Sequence, residues 1–209
     1  MRVTLRRRVT CFRKSGGATV SAIGRLACFC CLVAAFAAVS HAQPVAVGKE
    51  GALAQIVPPI AGRKACFARE YDRKHLSEHP HQRVQRVVFQ LEYHRHPPEK
   101  ETPDGQRNYY FSMAAKVRGD SKTLHASGEC VPSDTGASCG VECDGGGVGL
   151  RHDPRSGAIL IDLTRYGRIR MTRGCGDEEN AAEVEPGRDD KLFRLEEADP
   201  AVCRTLSKP

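Results

Sequence analysis

Beyond residue 80 the hydrophobic pattern of this chain has a period of two. Val87, Phe89, Leu91 and Tyr93 alternate with Val88, Gln90 and Glu92. That alternation sends one set to a core face and the other towards water. Tyr109, Phe111, Met113, Ala115 and Val117 repeat it against Tyr110, Ser112 and Lys116. Further short strands are predicted over 123–130, 139–143, 148–152, 159–163, 168–172 and 191–196. Turn signals separate them, the strongest being Asp153-Pro154-Arg155-Ser156-Gly157. There proline presets one dihedral and glycine accepts a positive one. Residues 94–108, with Pro97, Pro98, Pro103 and Gly105, read as a long polar loop. Only residues 69–81 have helical spacing, with Tyr71 and His75, and Asp72 and Leu76, four apart. Pro80 stops that pattern, which predicts one short helix over 72–79, before the first strand.

About eight short strands joined mostly by hairpins predict an all-β domain, an antiparallel meander. A meander of this size can close into a small barrel, which removes exposed sheet edges. A two-sheet sandwich is the alternative.

The opening of the chain has a different pattern. Seven basic side chains (Arg2, Arg6, Arg7, Arg8, Arg13, Lys14 and Arg25) precede an unbroken apolar run over 26–39. Ser40-His41-Ala42 follows, small residues flanking one larger one. Basic, apolar, small-x-small is the order of a secretory signal. Residues 1–42 are therefore expected to be a signal peptide, cleaved after Ala42. The apolar run is shorter than the roughly 20 residues that span a bilayer, which argues against an anchor. Cys28, Cys30 and Cys31 stand at the start of the run, not after it, which argues against a lipoprotein. The expected location is periplasmic or secreted, with no transmembrane segment after cleavage. Residues 43–64, with Pro44, Pro58 and Pro59 and no clear period, read as a flexible arm. Residues 65–209 read as one domain.

Removing the signal changes the electrostatics. The full chain holds 32 basic and 25 acidic residues, a net charge of +7. The signal carries seven of the bases and no acid, so the mature chain is neutral. A basic excess that would suggest nucleic acid disappears with it. What remains is uneven, +5 over 43–173 and −5 over 174–209.

Ten cysteines reduce to six in the mature chain: Cys66, Cys130, Cys139, Cys143, Cys175 and Cys203. An even number in an exported domain predicts disulfides throughout. Cys139 and Cys143 have a tolerable spacing for zinc, but no second close pair completes a four-ligand site. In an up-and-down meander successive strand ends alternate between two rims. On the eight strands above, Cys66 falls with Cys175, and Cys130, Cys139, Cys143 and Cys203 pair among themselves.

Cys66-Phe67-Ala68-Arg69-Glu70-Tyr71, His75-Leu76-x-x-His79-Pro80, Cys139-Gly140-Val141-Glu142-Cys143-Asp144-Gly145-Gly146 and Asp189-Asp190-Lys191-Leu192-Phe193-Arg194-Leu195 together resemble a group of exported proteobacterial proteins. The resemblance runs from about Cys66 to Cys203. It implies an exported, bacterial, single-domain protein and brings no activity with it.

Four constellations are candidates for chemistry. His75 and His79, four apart on the expected helix, share a face and can hold one metal ion between them. His81 lies nearby, whereas His94 and His96 lie at the far end of the first strand, roughly 40 Å away if extended. Cys143-Asp144-Gly145-Gly146-Gly147 can expose backbone N–H groups to an anion, or form a turn beside a disulfide. Asp189 and Asp190, with Asp177, Glu178 and Glu179, lack the spacing of a calcium loop. No Gly-x-Ser-x-Gly or His-Glu-x-x-His is present, and no catalytic residue or cofactor site is assigned. The expected role is a non-enzymatic binding or structural domain of the cell envelope, its partner an envelope protein or a small apolar ligand. A periplasmic metal-binding protein and an unrecognised hydrolase are the alternatives.

Overall fold

The computed structural model describes residues 44–142, 144–173 and 180–206. The putting together of the strands is a closed antiparallel barrel of eight: β1 (Lys64–Glu70), β2 (Val84–Arg95), β3 (Arg107–Val117), β4 (Thr123–Ser133), β5 (Gly136–Gly140), β6 (Gly147–His152), β7 (Ile159–Asp162) and β10 (Leu192–Glu197). Strands β1 to β7 follow one another round the wall, and β10 closes it between β7 and β1. The barrel expectation holds and the sandwich does not. The expected helix is α2 (Arg73–Glu78), capped by the Asp72 side chain on the His75 N–H at 2.8 Å. Such a cap satisfies a donor that the first turn leaves free.

The period-two faces sort as the pattern predicts. Phe89 faces Met113 across β2 and β3, Leu91 faces Phe111, and Tyr93 faces Tyr109. All six side chains are buried inside the barrel. In the turn between β6 and β7, Gly157 takes a φ of 73°. Asp153 there accepts from the Arg155 N–H and the Ser156 hydroxyl, and pairs with Arg194 at 3.1 Å.

These bonds hold the Asp153 carboxyl at about 2, below its ordinary value, with the Ser156 hydrogen bond the largest cause and Arg194 the next. A depressed carboxyl supports the fold above its ordinary pKa and stops doing so as pH falls towards 2. A carboxyl-carbon NMR titration should place Asp153 near 2, and Arg194→Leu should move it up towards the ordinary range. A normal midpoint in the wild-type chain contradicts the pairing.

Three elements differ from the sequence expectation. β1 lies in a segment for which the sequence predicts no strand, yet it pairs with both β2 and β10 and completes the wall. The segment over 168–172 contributes β8 (Ile169–Met171), which leaves the barrel and pairs with β9 (Ala182–Val184) as a separate two-stranded ribbon. β5 lies at 136–140, upstream of the expected 139–143. A period of two marks a strand and its buried face, but it does not name the neighbour.

This exchange of strands overturns the disulfide expectation. With β1 in the wall and β8 outside it, the end of β10 returns to the rim where β1 begins. Cys66 is bonded to Cys203, not to Cys175. Cys130 is bonded to Cys139, directly opposite it across β4 and β5. Cys143 and Cys175 lie outside the described residues, as do residues 1–43 and Asp177, Glu178 and Glu179.

The stretch over 43–64, expected as a flexible arm, packs against the barrel from Pro44 onward. It forms α1 (Ala52–Ile56) and buries Val45, Leu53 and Val57 in the main core. The Tyr109 hydroxyl donates to the Val57 carbonyl at 3.1 Å, and the Val45 N–H to the Arg107 carbonyl at 2.8 Å. α1 thereby covers the rim where β1 begins. At the opposite rim, the β8–β9 ribbon buries Ile169, Met171 and Val184 in the same core. Tyr109, Phe89, Phe111, Phe193, Leu91 and Met113 fill the space between. Small barrels of eight strands are filled in this way by their own side chains. The last helix, α3 (Pro200–Cys203), lies on the outside of the wall, where Cys203 joins a second small cluster with Cys66, Val88 and Ala114.

Candidate functional site

The histidines expected as metal ligands lie at the rim where β1 ends. His75 lies on α2 and His79 is the residue that ends it, and their rings stack at 4.3 Å with planes 28° apart. Tyr71 stacks on the other side of His75 at 4.7 Å. His75 Nε2 is hydrogen-bonded to Gln82 Oε1 at 2.9 Å, and His81 Nε2 meets Arg188 Nη1 at 3.1 Å. Stacked rings do not aim their nitrogens at one point, and one of those nitrogens already has a partner. Among the described residues, no group of three or more His, Cys, Asp or Glu side chains is placed to hold a metal ion.

The acidic pair serves the fold. Asp190 is buried and accepts from the backbone N–H groups of Arg83 and Val84, while Asp189 accepts from that of His81. Burial raises the Asp190 carboxyl above its ordinary range despite those two bonds. The two aspartates tie the lead-in of β10 to the start of β2.

The glycine turn also serves the fold. Asp144 and Gly146 take φ values of 60° and 67°. The Gly147 N–H donates to the Arg168 carbonyl at 2.9 Å, and the Gly145 carbonyl accepts from the Arg170 N–H at 2.7 Å. Gly145 donates its own N–H to Glu142. A Cβ on Gly147 would lie 2.2 Å from the Cys139 carbonyl oxygen. The turn is shaped to receive β8, and the N–H groups of Gly145 and Gly147 are already used.

The outer wall carries a cluster that the sequence reading did not assemble. His94 and Asn108 face each other across β2 and β3, and Tyr110 faces Glu92 on one side and Glu129 on the other. His96 Nε2 lies 2.8 Å from the Tyr110 hydroxyl. The His94 ring packs edge-on to His96 at 4.5 Å and tilted to Tyr110 at 5.9 Å. Asn108 donates to Glu129 Oε2 at 3.3 Å. Asn108 is only 4% exposed, and its side-chain carbonyl oxygen has no partner. A buried acceptor left without a donor costs about 1–3 kcal/mol. Tyr110 is held above its ordinary pKa, first by burial and then by Glu129 and Glu142, so it remains a neutral donor. Two imidazoles, a phenol, a carboxamide and two carboxylates thus share one face of three strands.

His94 and His96 were read as solvated loop residues. Tyr110, Asn108 and Glu129 were not singled out. The usable signal was the second register of β3, where Asn108 and Tyr110 occupy outward positions beside a histidine-ended strand. Comparison with known protein families, curated proteins and solved structures returns no match. The fold and the wall together define a class: a closed eight-stranded antiparallel barrel, filled within and stapled by disulfides, with its polar chemistry on the outside. Among the described residues no helix is long and apolar enough to cross a membrane.

Proposed function

We propose that this chain is an exported, non-enzymatic binding domain that recognises a protein of the cell envelope through the outer wall of its barrel. The observation that carries this reading is the filled interior. Among the described residues, side chains fill the barrel from one rim to the other, which leaves the outer wall as the surface for recognition. The cluster around Tyr110 supports it further, because phenol and imidazole groups on a rigid sheet form oriented hydrogen bonds at little entropic cost. The two disulfides suit an oxidising compartment.

The test is capture from an envelope extract by the chain from Gln43 onward, purified with its disulfides intact. A protein retained by the wild-type domain should be lost at least tenfold with Tyr110→Ala and with Glu129→Ala, and kept with Lys122→Gln, an exposed position in the turn between β3 and β4 at the far end of those strands. The same protein recovered from its own host should begin at Gln43. Equal capture by all variants, stoichiometric zinc or copper in the purified chain, or cleavage of envelope material would overturn the reading.

A further inference from the structure

A cleft of about 200 Å³ lies outside the barrel, between α3 and the first two strands. Lys64, Cys66 and Gln90 form its floor, and Pro200, Cys203 and Arg204 form its other side. The Cys66–Cys203 disulfide fixes the two sides together. Gln90 sits in the middle of β2, on the outward face, opposite Cys66. It is 7% exposed, and it borders the cleft.

The charged side chains lining the cleft, Lys64 and Arg204, are both basic. Lys64 reaches Glu92 at 2.8 Å, outside the lining. The Arg204 side chain has no ion pair among the described residues. The remaining walls are proline, disulfide sulfur and side-chain methylenes. We propose that this cleft is a binding site for a small carboxylate with a short apolar body. The guanidinium of Arg204 takes the carboxylate through paired N–H donors, the Gln90 amide N–H supplies a third bond, and the apolar body lies against Pro200 and the disulfide. The volume is below that of drug-sized sites, which start at roughly 300 Å³, so the occupant is an acid of about four to six carbons or the end of a peptide. A free ammonium on the ligand would sit beside the Arg204 guanidinium, which disfavours zwitterions. The proposal names a ligand for the outer wall and rests on the reading of that wall as the binding surface.

Titration of the oxidised chain with valerate, followed by amide NMR at low salt, tests it. Saturable shifts are expected at the Gln90 side-chain amide and at the backbone of Lys64, Cys203 and Arg204. Arg204→Gln, an exposed position, should weaken binding at least tenfold, and Gln90→Leu should weaken it while leaving the fold intact. Butylamine and norvaline should not bind. An N-acetylated pentapeptide with a free C-terminus, compared with its C-terminal amide, distinguishes the two sources of the carboxylate. Binding of the free-ended peptide alone, with valerate too weak to saturate, assigns the site to protein termini. Valerate binding without peptide binding assigns it to a free acid. Absence of saturable shifts with either, or equal shifts with butylamine, overturns the proposal. The capture experiment on Tyr110 and Glu129 is independent of that outcome, so the cleft can fail without the wall failing.

Discussion

Replacing Cys66 and Cys203 together by alanine should destabilise the chain by about 5 kcal/mol, the largest single effect expected in this protein. The bond joins the first wall strand to the helix after the last, across a sequence separation of 137 residues. In the chain-entropy account a cross-link gains with the logarithm of the loop it closes, which gives about 5 kcal/mol for a loop of that length. The Cys130–Cys139 bond closes a separation of only 9 residues, and the same relation gives about 2.5 kcal/mol. For a chain of this size each kcal/mol is about 2–4 °C in Tm. The Cys66/Cys203 double variant should therefore lose about 10–20 °C and the Cys130/Cys139 double variant about half as much. Calorimetry of the two variants decides it. Equal losses, or the reverse order, would mean that Cys66 and Cys203 are not joined in the folded protein. The variant should also expose the outer faces of Val88 and Ala114, which α3 and the disulfide now cover.

Phe111→Ala should cost about 3–5 kcal/mol, the range for removing a buried phenylalanine. Phe111 is 1% exposed and stacks on Phe89 with ring centroids 5.7 Å apart and planes 10° apart. It lies opposite Gly128, where a Cβ would stand 3.1 Å from its ring and 2.0 Å from the Gly140 carbonyl oxygen. The aromatic ring fills space over a glycine that the β4–β5 contact requires, so no neighbour can collapse into the void. Truncating Val47, which is 67% exposed, should change stability by less than about 0.5 kcal/mol. Denaturant unfolding with an unchanged m value would attribute the difference to the lost packing. A Phe111→Ala chain as stable as wild type would mean that the interior is not filled, and the case for recognition on the outer wall would go with it.

The elements differ in how far the sequence disclosed them. β2 and β3 were legible because each runs through four or five buried positions at strict alternation, and no helix reproduces that period. α2 was legible from pairs of residues four apart and a proline. β1 was not, because Cys66-Phe67-Ala68 carries one large apolar side chain inward and two small residues outward, too short a pattern to separate from a helix lead-in. β8 was legible as a strand and misplaced as a wall element. β9 was hidden in an acidic stretch because its burial comes from one residue, Val184. The packed segment before β1 was missed for the same reason: Val45, Leu53 and Val57 are spaced without a period, and each is held by a different part of the rim.

The candidate site followed the same division. His94 and His96 were noticed as residue types, but their partners Tyr110, Asn108 and Glu129 come from two other strands, and only register brings them together. Gln90 read as one polar position in an alternating strand, and its burial comes from α3, more than a hundred residues later. By itself the sequence determined the period of two, the turns, the short helix and the buried face of each long strand, because these depend on neighbours along the chain. Tertiary structure alone decided which strands close the barrel, which cysteines meet, what plugs each rim and which outward side chains share a surface. Those outcomes depend on pairings between distant segments, and a strand's own pattern is the same whichever neighbour it finds.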